Sequence, residues 1–214
     1  MHQEVGQGLW RGIRQSTVHD ITGTVRTTAR TPPAGVLLEP KFREGFERLV
    51  ALGMSFDSWI YHTQLKELTS LAREFPDANI ILDHVGGVIG SGAYEGKRDE
   101  VFAAWKADIY ELAASTNVSC KLGGLGMTLG GFGFETRERP PTSEELAKAW
   151  RPYIETCIDA FGPSRCMFES NFPVDMVTCT YPVLWNAFKR IASGYSADEK
   201  RMLFAGTAQR VYSV

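Results

Sequence analysis

No apolar run in the 214-residue chain approaches the ~20 residues needed to cross a bilayer, and residues 1–10 are polar, with no signal-peptide core. Charge of one sign is not in excess either: 23 Lys and Arg stand against 25 Asp and Glu, a net charge of −2. A nucleic-acid partner would call for a basic stripe, so that class is excluded, and no membrane partner is expected. Cysteine is scarce. Cys120, Cys157, Cys166 and Cys179 have no CxxC metal spacing, and four in a chain of this length do not make a disulfide scaffold. They are expected to be free buried thiols in a cytoplasmic protein. Neither GxGxxG nor GxxxxGK[ST] occurs, which argues against a dinucleotide or P-loop site. What is present is ordinary globular material, 43% hydrophobic and 22% charged, enough for one to one and a half average domains.

Apolar β-type runs alternate with helical periodicity. Strands are expected at 10–14, 56–62, 79–85, 117–122 and 165–171. Helices are expected at 41–52, 64–75, 98–114, 142–161, 183–192 and 196–212. Thr142 with Glu145, and Ser196 with Glu199, read as capping boxes, and Pro152 predicts a kink or a displaced start in its helix. Strict alternation argues an α/β fold with a parallel sheet. Eleven of the 21 glycines fall in two loops, 86–96 and 123–133, that follow the third and fourth strands. The second loop, reaching Pro141, is longer than structureless loops usually are, and Phe132 and Phe134 suggest a lid with apolar anchors.

Each strand carries a polar group near its C-terminal end, where α/β sheets and barrels bind ligands. Alternation places Ser58, Ile60 and His62 on one face, and likewise Ile80, Leu82 and His84, with Asp83 opposite them in a helix-packing role. Arg14, Ser119 with Lys121, and Met167 with Glu169 and Asn171 complete the set. Two of the four histidines, His62 and His84, thus end strands, and imidazole serves both as a metal ligand and as a general base. Two histidines fall short of the three or four ligands a metal site needs. Arg14 and Lys121 could bind a carboxylate or polarise a carbonyl, or else form an ion pair with Glu169. His19 and Asp20, in the loop after the first strand, either reach the site or form a solvated turn.

Five segments, in order, carry a family resemblance: Arg11-Gly12-Ile13-Arg14, Trp59-Ile60-Tyr61-His62, Ile81-Leu82-Asp83-His84-Val85-Gly86-Gly87, Lys121-Leu122-Gly123-Gly124-Leu125 and Arg165-Cys166-Met167-Phe168-Glu169-Ser170-Asn171-Phe172-Pro173. Together they resemble the amidohydrolase-related proteins of the amidohydrolase superfamily, which include lactonases and aminocarboxymuconate-semialdehyde type decarboxylases. The resemblance implies a (β/α)8 TIM barrel of which strands four to eight are present, so that 1–214 is a single C-terminal portion of the barrel domain. It implies His62 and His84 as metal ligands, zinc foremost, although one lactonase branch works without metal. His84 would also be catalytic. Asn171 stands where members carry an aspartate, and Asp175 is the candidate to substitute for it. Arg14, Lys121 and His19 would bind substrate. The family's His-x-His pair should lie upstream of Arg14, where only His2 is found.

These readings converge on a hydrolase of a small lactone, ester or amide, of a carboxylic acid, possessing a small-molecule partner and a homo-oligomeric option. The alternatives are a nonoxidative decarboxylase on the same scaffold and a non-catalytic assembly subunit.

Overall fold

The computed structural model describes residues 10–214; His2 lies outside them. Five parallel strands lie side by side in chain order: β1 (Gly12–Ser16), β2 (Ser55–Trp59), β3 (Asn79–Leu82), β4 (Val118–Leu122) and β5 (Cys166–Phe168). Helices cover one face: α1 (Pro40–Ala51), α2 (Leu65–Glu74), α3 (Arg98–Ala113), α4 (Ser143–Phe161) and α5 (Tyr181–Ile191). The alternation of parallel strands and helices makes an incomplete (β/α)8-type barrel. Each outer strand has one strand neighbour among the described residues.

The main core lies between sheet and helices. Phe56, Ile60, Ile80, Leu82, Cys120, Leu122, Cys166 and Phe168 face helix residues such as Trp105, Ile109, Trp150 and Phe188. The four cysteines are free and buried, as expected. Thr142 and Ser196 form the two capping boxes. The helix that Thr142 caps starts without displacement and runs on through Pro152.

The expected final helix is divided. Ala197–Arg201 (α6) and Thr207–Tyr212 (α7) flank a π-helical stretch, Met202–Gly206. Leu203 and Phe204 of the π-helical stretch join the main core, whereas α7 packs on the opposite face of the sheet. Val211 clusters with Ile81 and Met167, with Ala208 and Tyr212 against them. Asn79 Nδ2 donates to the Val211 carbonyl at 2.8 Å and Arg11 Nε to the Ser213 carbonyl at 3.3 Å. No helix among the described residues is long and apolar enough to cross a membrane.

The long loop after β4 is anchored, not free. Phe134 is buried and stacks on Phe132, whose ring lies 4.3 Å beneath the Arg98 guanidinium. The two glycine loops meet where Gly90 N–H donates to the Leu129 carbonyl at 2.8 Å.

Candidate active site

Strand register decides which side chains share the inner face. Arg14 pairs with Asp57, Asp57 with Ile81, Ile81 with Ser119, and Lys121 with Met167. In a parallel sheet such partners point the same way. The inner face therefore carries Arg14, Asp57, Ile81, Ser119, Lys121 and Met167. Asp83 and Glu169 extend it one residue beyond β3 and β5, their backbones still bonded to Ser58 and Leu122.

This corrects the expected faces of β2 and β3. Ile60, Ile80 and Leu82 pack against the helices, whereas Asp83, assigned to helix packing, is fully buried among the inner charges. Its oxygens lie 3.0 Å from Arg14 Nε and 3.0 Å from Lys121 Nζ. Lys121 Nζ also donates to Asp57 Oδ1 at 2.6 Å, and Tyr212 donates its hydroxyl to the same oxygen. Burial pushes the Asp83 carboxyl up, opposed first by Lys121. Burial alone would push the Lys121 ammonium down, but Asp83, Tyr212, Asp57 and Glu169 outweigh it and the net shift is upward. Lys121 is thus an ion-paired ammonium, hydrogen-bonded to Asp57 and paired by charge with Asp83, whose two buried oxygens accept no hydrogen bond.

His84 reaches this face although its strand parity points away. The backbone turns left-handed at His84 (φ 56°), Val85 (φ 49°) and Gly86 (φ 77°), and Trp105 Nε1 holds the Val85 carbonyl at 2.8 Å. That turn brings the imidazole into the inner cluster. Nδ1 pairs with Glu169 Oε1, which also accepts the His84 backbone N–H at 3.2 Å. Nε2 lies 2.7 Å from Arg14 Nη2. A guanidinium only donates, so Nε2 is the acceptor and the proton sits on Nδ1. Burial would raise the Glu169 pKa, but the His84 hydrogen bond and the charges of Lys121 and Arg14 hold it below the ordinary value. The His84 ring packs edge-on against Trp59 at 4.7 Å.

The loop after β4 passes close because it lacks side chains. A Cβ on Gly124 (φ 69°) would lie 2.5 Å from His84 Cβ, and one on Gly126 would lie 2.9 Å from Asp175. Asp175 is fully buried. Its Oδ1 accepts from Asn171 Nδ2 at 2.6 Å and its Oδ2 from Gly126 N–H at 3.0 Å. Burial pushes its carboxyl up to about 6. Both oxygens are therefore committed to fixing Asn171, itself left-handed (φ 51°), and the β4 loop.

Two expected site residues stand apart from this cluster. His62 follows β2 in a short 3-10 turn. Its Nδ1 accepts Ile89 N–H at 3.3 Å, and its ring meets Tyr94 edge-on at 5.3 Å. Burial pushes its pKa down to about 4. His19 donates its backbone N–H to Gln64 at 2.9 Å and places Nδ1 3.0 Å from the Pro32 carbonyl. Its neighbour Asp20 is no solvated turn. Buried, it accepts hydrogen bonds from Thr22, Thr24 and Val25 N–H groups and from the Tyr94 hydroxyl.

The metal expectation can be tested on the donors themselves. Among the described residues no three His, Cys, Asp or Glu side chains gather to hold a metal ion. His84 has both ring nitrogens engaged, one by a cation, and His62 makes its contacts elsewhere. The donors this chain supplies do not fit a zinc site by themselves.

Asp57, Asp83 and Tyr212 escaped the reading from sequence. The signal for the two aspartates was charge: each interrupts an apolar strand, and only a buried cation on a neighbouring strand makes that tolerable. Tyr212 left no such signal.

Residues 13–214 match the family model described as amidohydrolase. The uncharacterized protein y4mH of Sinorhizobium fredii is 40% identical over 206 residues, 96% of this chain and 61% of that protein. L-fucono-1,5-lactonase of Burkholderia multivorans is 30% identical over 174 residues, 81% of this chain and 56% of the enzyme. The chain thus spans a little over half the length of these curated relatives. A solved amidohydrolase of Burkholderia multivorans with bound zinc superposes at a TM-score of 0.74 and 25% identity, covering 100% of this chain and 69% of its own. The five ordered motifs, the strand-end cluster they build and the family match agree: the chain belongs to the amidohydrolase family.

Proposed function

We propose that this chain carries the reacting centre of a hydrolase for a small lactone that bears a carboxylate. The observation that carries the reading is the Glu169–His84 pair at the C-terminal ends of β5 and β3, its imidazole buried and facing Arg14. The similarity to L-fucono-1,5-lactonase supports a lactone over an amide or a simple ester.

Glu169 fixes the imidazole tautomer and stabilises the imidazolium that forms when Nε2 takes a proton. A water that gives Nε2 its proton adds through oxygen to the lactone carbonyl carbon. The ring C–O bond then breaks, the proton passes from His84 to the leaving ring oxygen, and a hydroxy acid results. Arg14 is the exposed cation of the cluster, its side chain 48% exposed, and holds the substrate carboxylate. Lys121, its neighbour through Asp83, adds positive potential that favours the developing oxyanion. Zinc belongs to a solved relative, and a metal in the whole enzyme would require donors beyond those assembled here.

The test is hydrolysis of a panel of small lactones that carry a free carboxylate, with neutral L-fucono-1,5-lactone as the uncharged comparison, by the wild type and His84→Gln. The expected result is turnover that falls about 100-fold or more in the variant, as for loss of a general base. Equal turnover in both would overturn the assignment, and release of carbon dioxide in place of a hydroxy acid would favour the decarboxylase.

A further inference from the structure

In the arrangement described, the base that the reaction needs is covered. The one basic lone pair of His84, on Nε2, accepts from Arg14 Nη2 at 2.7 Å, and a nitrogen that accepts from a guanidinium cannot take a proton from water. Arg14 is also the part of the cluster best able to move. It stands on β1, an outer strand, with its side chain 48% exposed, whereas Asp83 and His84 are 0% and 2% exposed. Its inward contacts use Nε and Nη2.

We infer that Arg14 is a substrate-operated cover on His84: a carboxylate on the ligand draws the guanidinium off Nε2 and so exposes the base only when an anionic substrate is present. The inference rests on the proposed role of His84 but reaches further, because it makes the substrate's charge a condition for activity and not only for affinity. The physical basis is a competition between acceptors. A neutral imidazole nitrogen is a weaker partner for a guanidinium than a carboxylate, which takes a bidentate, charge-assisted pair. Asp83 is too deeply held to follow, since Lys121 grips its other oxygen at 3.0 Å. Arg14 therefore pivots about a fixed anchor. A neutral lactone of the same shape would bind without freeing Nε2.

The experiment uses the full chain labelled with 15N-histidine, of which there are four, with His84 assigned by loss of its signals in His84→Gln. Glutarate is the probe and dimethyl glutarate its uncharged counterpart. In the wild type the His84 Nε2 resonance should report an accepted hydrogen bond, and glutarate should move it toward the value of an unbonded pyridine-type nitrogen. Dimethyl glutarate should leave it in place. In Arg14→Ala the resonance should start at the unbonded value, and glutarate should bind about tenfold or more weakly, the loss expected for one charge-assisted hydrogen bond. Arg14→Gln, which keeps the side-chain length without the charge, serves if the alanine variant does not fold, and should also fail to respond to glutarate.

Failure of glutarate to bind, binding that leaves Nε2 bonded, or an equal response to the diester would each overturn the cover. None of these readouts depends on turnover. An active hydrolase with an unresponsive Nε2 would refute the cover alone, and an inactive protein with a responsive Nε2 would refute the hydrolase reading alone.

Discussion

Gly124 illustrates how single positions fix the site. It combines a left-handed backbone with a Cβ position 2.5 Å from His84, whereas Gly133 is equally left-handed (φ 70°) with open space around it. Gly133→Ala should therefore cost about 1 kcal/mol of backbone strain, and Gly124→Ala clearly more, because His84 must also shift. Chemical denaturation of the two variants checks the order. Asp20 is a second such position. Burial would raise its carboxyl, but the Thr22 side chain and the Val25, Thr22 and Thr24 amides lower it to about 2 from 3.8. Its folded pKa is depressed, so the stability it contributes is full above about pH 4 and is lost as pH falls through about 2. Asp20→Asn should cost about 2 kcal/mol at pH 7, with the gap to wild type closing near pH 2 in a pH series of melts. Arg14, His84, Lys121 and Asn171 were legible from sequence as strand-end polar groups, and Asp175 as the candidate substitute for the aspartate that Asn171 replaces. Their partners Asp57 and Asp83 were not, because each pairing joins strands far apart in the chain. His62 and His19 were expected at the site from type, position and family resemblance, and their hydrogen-bond partners are Ile89, Gln64 and Pro32.

At the scale of elements, sequence placed every strand and helix within a few residues, since alternating periodicity and the capping boxes are local signals. It misassigned faces in β2 and β3 because these strands are apolar on both sides: Ile80, Ile81 and Leu82 are all fully buried, and alternation cannot choose between helix layer and inner face. The left-handed turn at His84 was also invisible, as nothing in a histidine-valine pair announces it. The C-terminal helix was expected but not its position across the inner face. There, Tyr212 adds its hydroxyl to Asp57 and its ring lies 5.5 Å from Lys121 Nζ. Tyr212→Phe keeps the ring and removes one hydrogen bond to a charged group, so it should cost about 1.5–3 kcal/mol in denaturation. A change under 0.5 kcal/mol would mean that Asp57 is satisfied by Lys121 alone.

For the whole molecule, an open sheet has a consequence that no single element carries. β1 and β5 each leave one edge without a strand partner among the described residues. Trp10 and Ile13 are 55% and 41% exposed at one edge, and Val174, Met176, Val177 and Tyr181 are exposed just beyond the other. Unpaired edges beside apolar surface favour pairing between chains. Light scattering on the 214-residue chain should give a mass above 23.8 kDa, and a stable monomer of that mass would refute this. The same topology brings together groups 85 residues apart, since Glu169 ends β5 and His84 follows β3. On the proposed mechanism the two act as one unit, and a double-mutant cycle on lactone hydrolysis tests this most directly. If Glu169 acts only through His84, then once His84→Gln is in place Glu169→Gln should lower kcat/KM no further. Losses that simply multiply in the double variant would contradict the account.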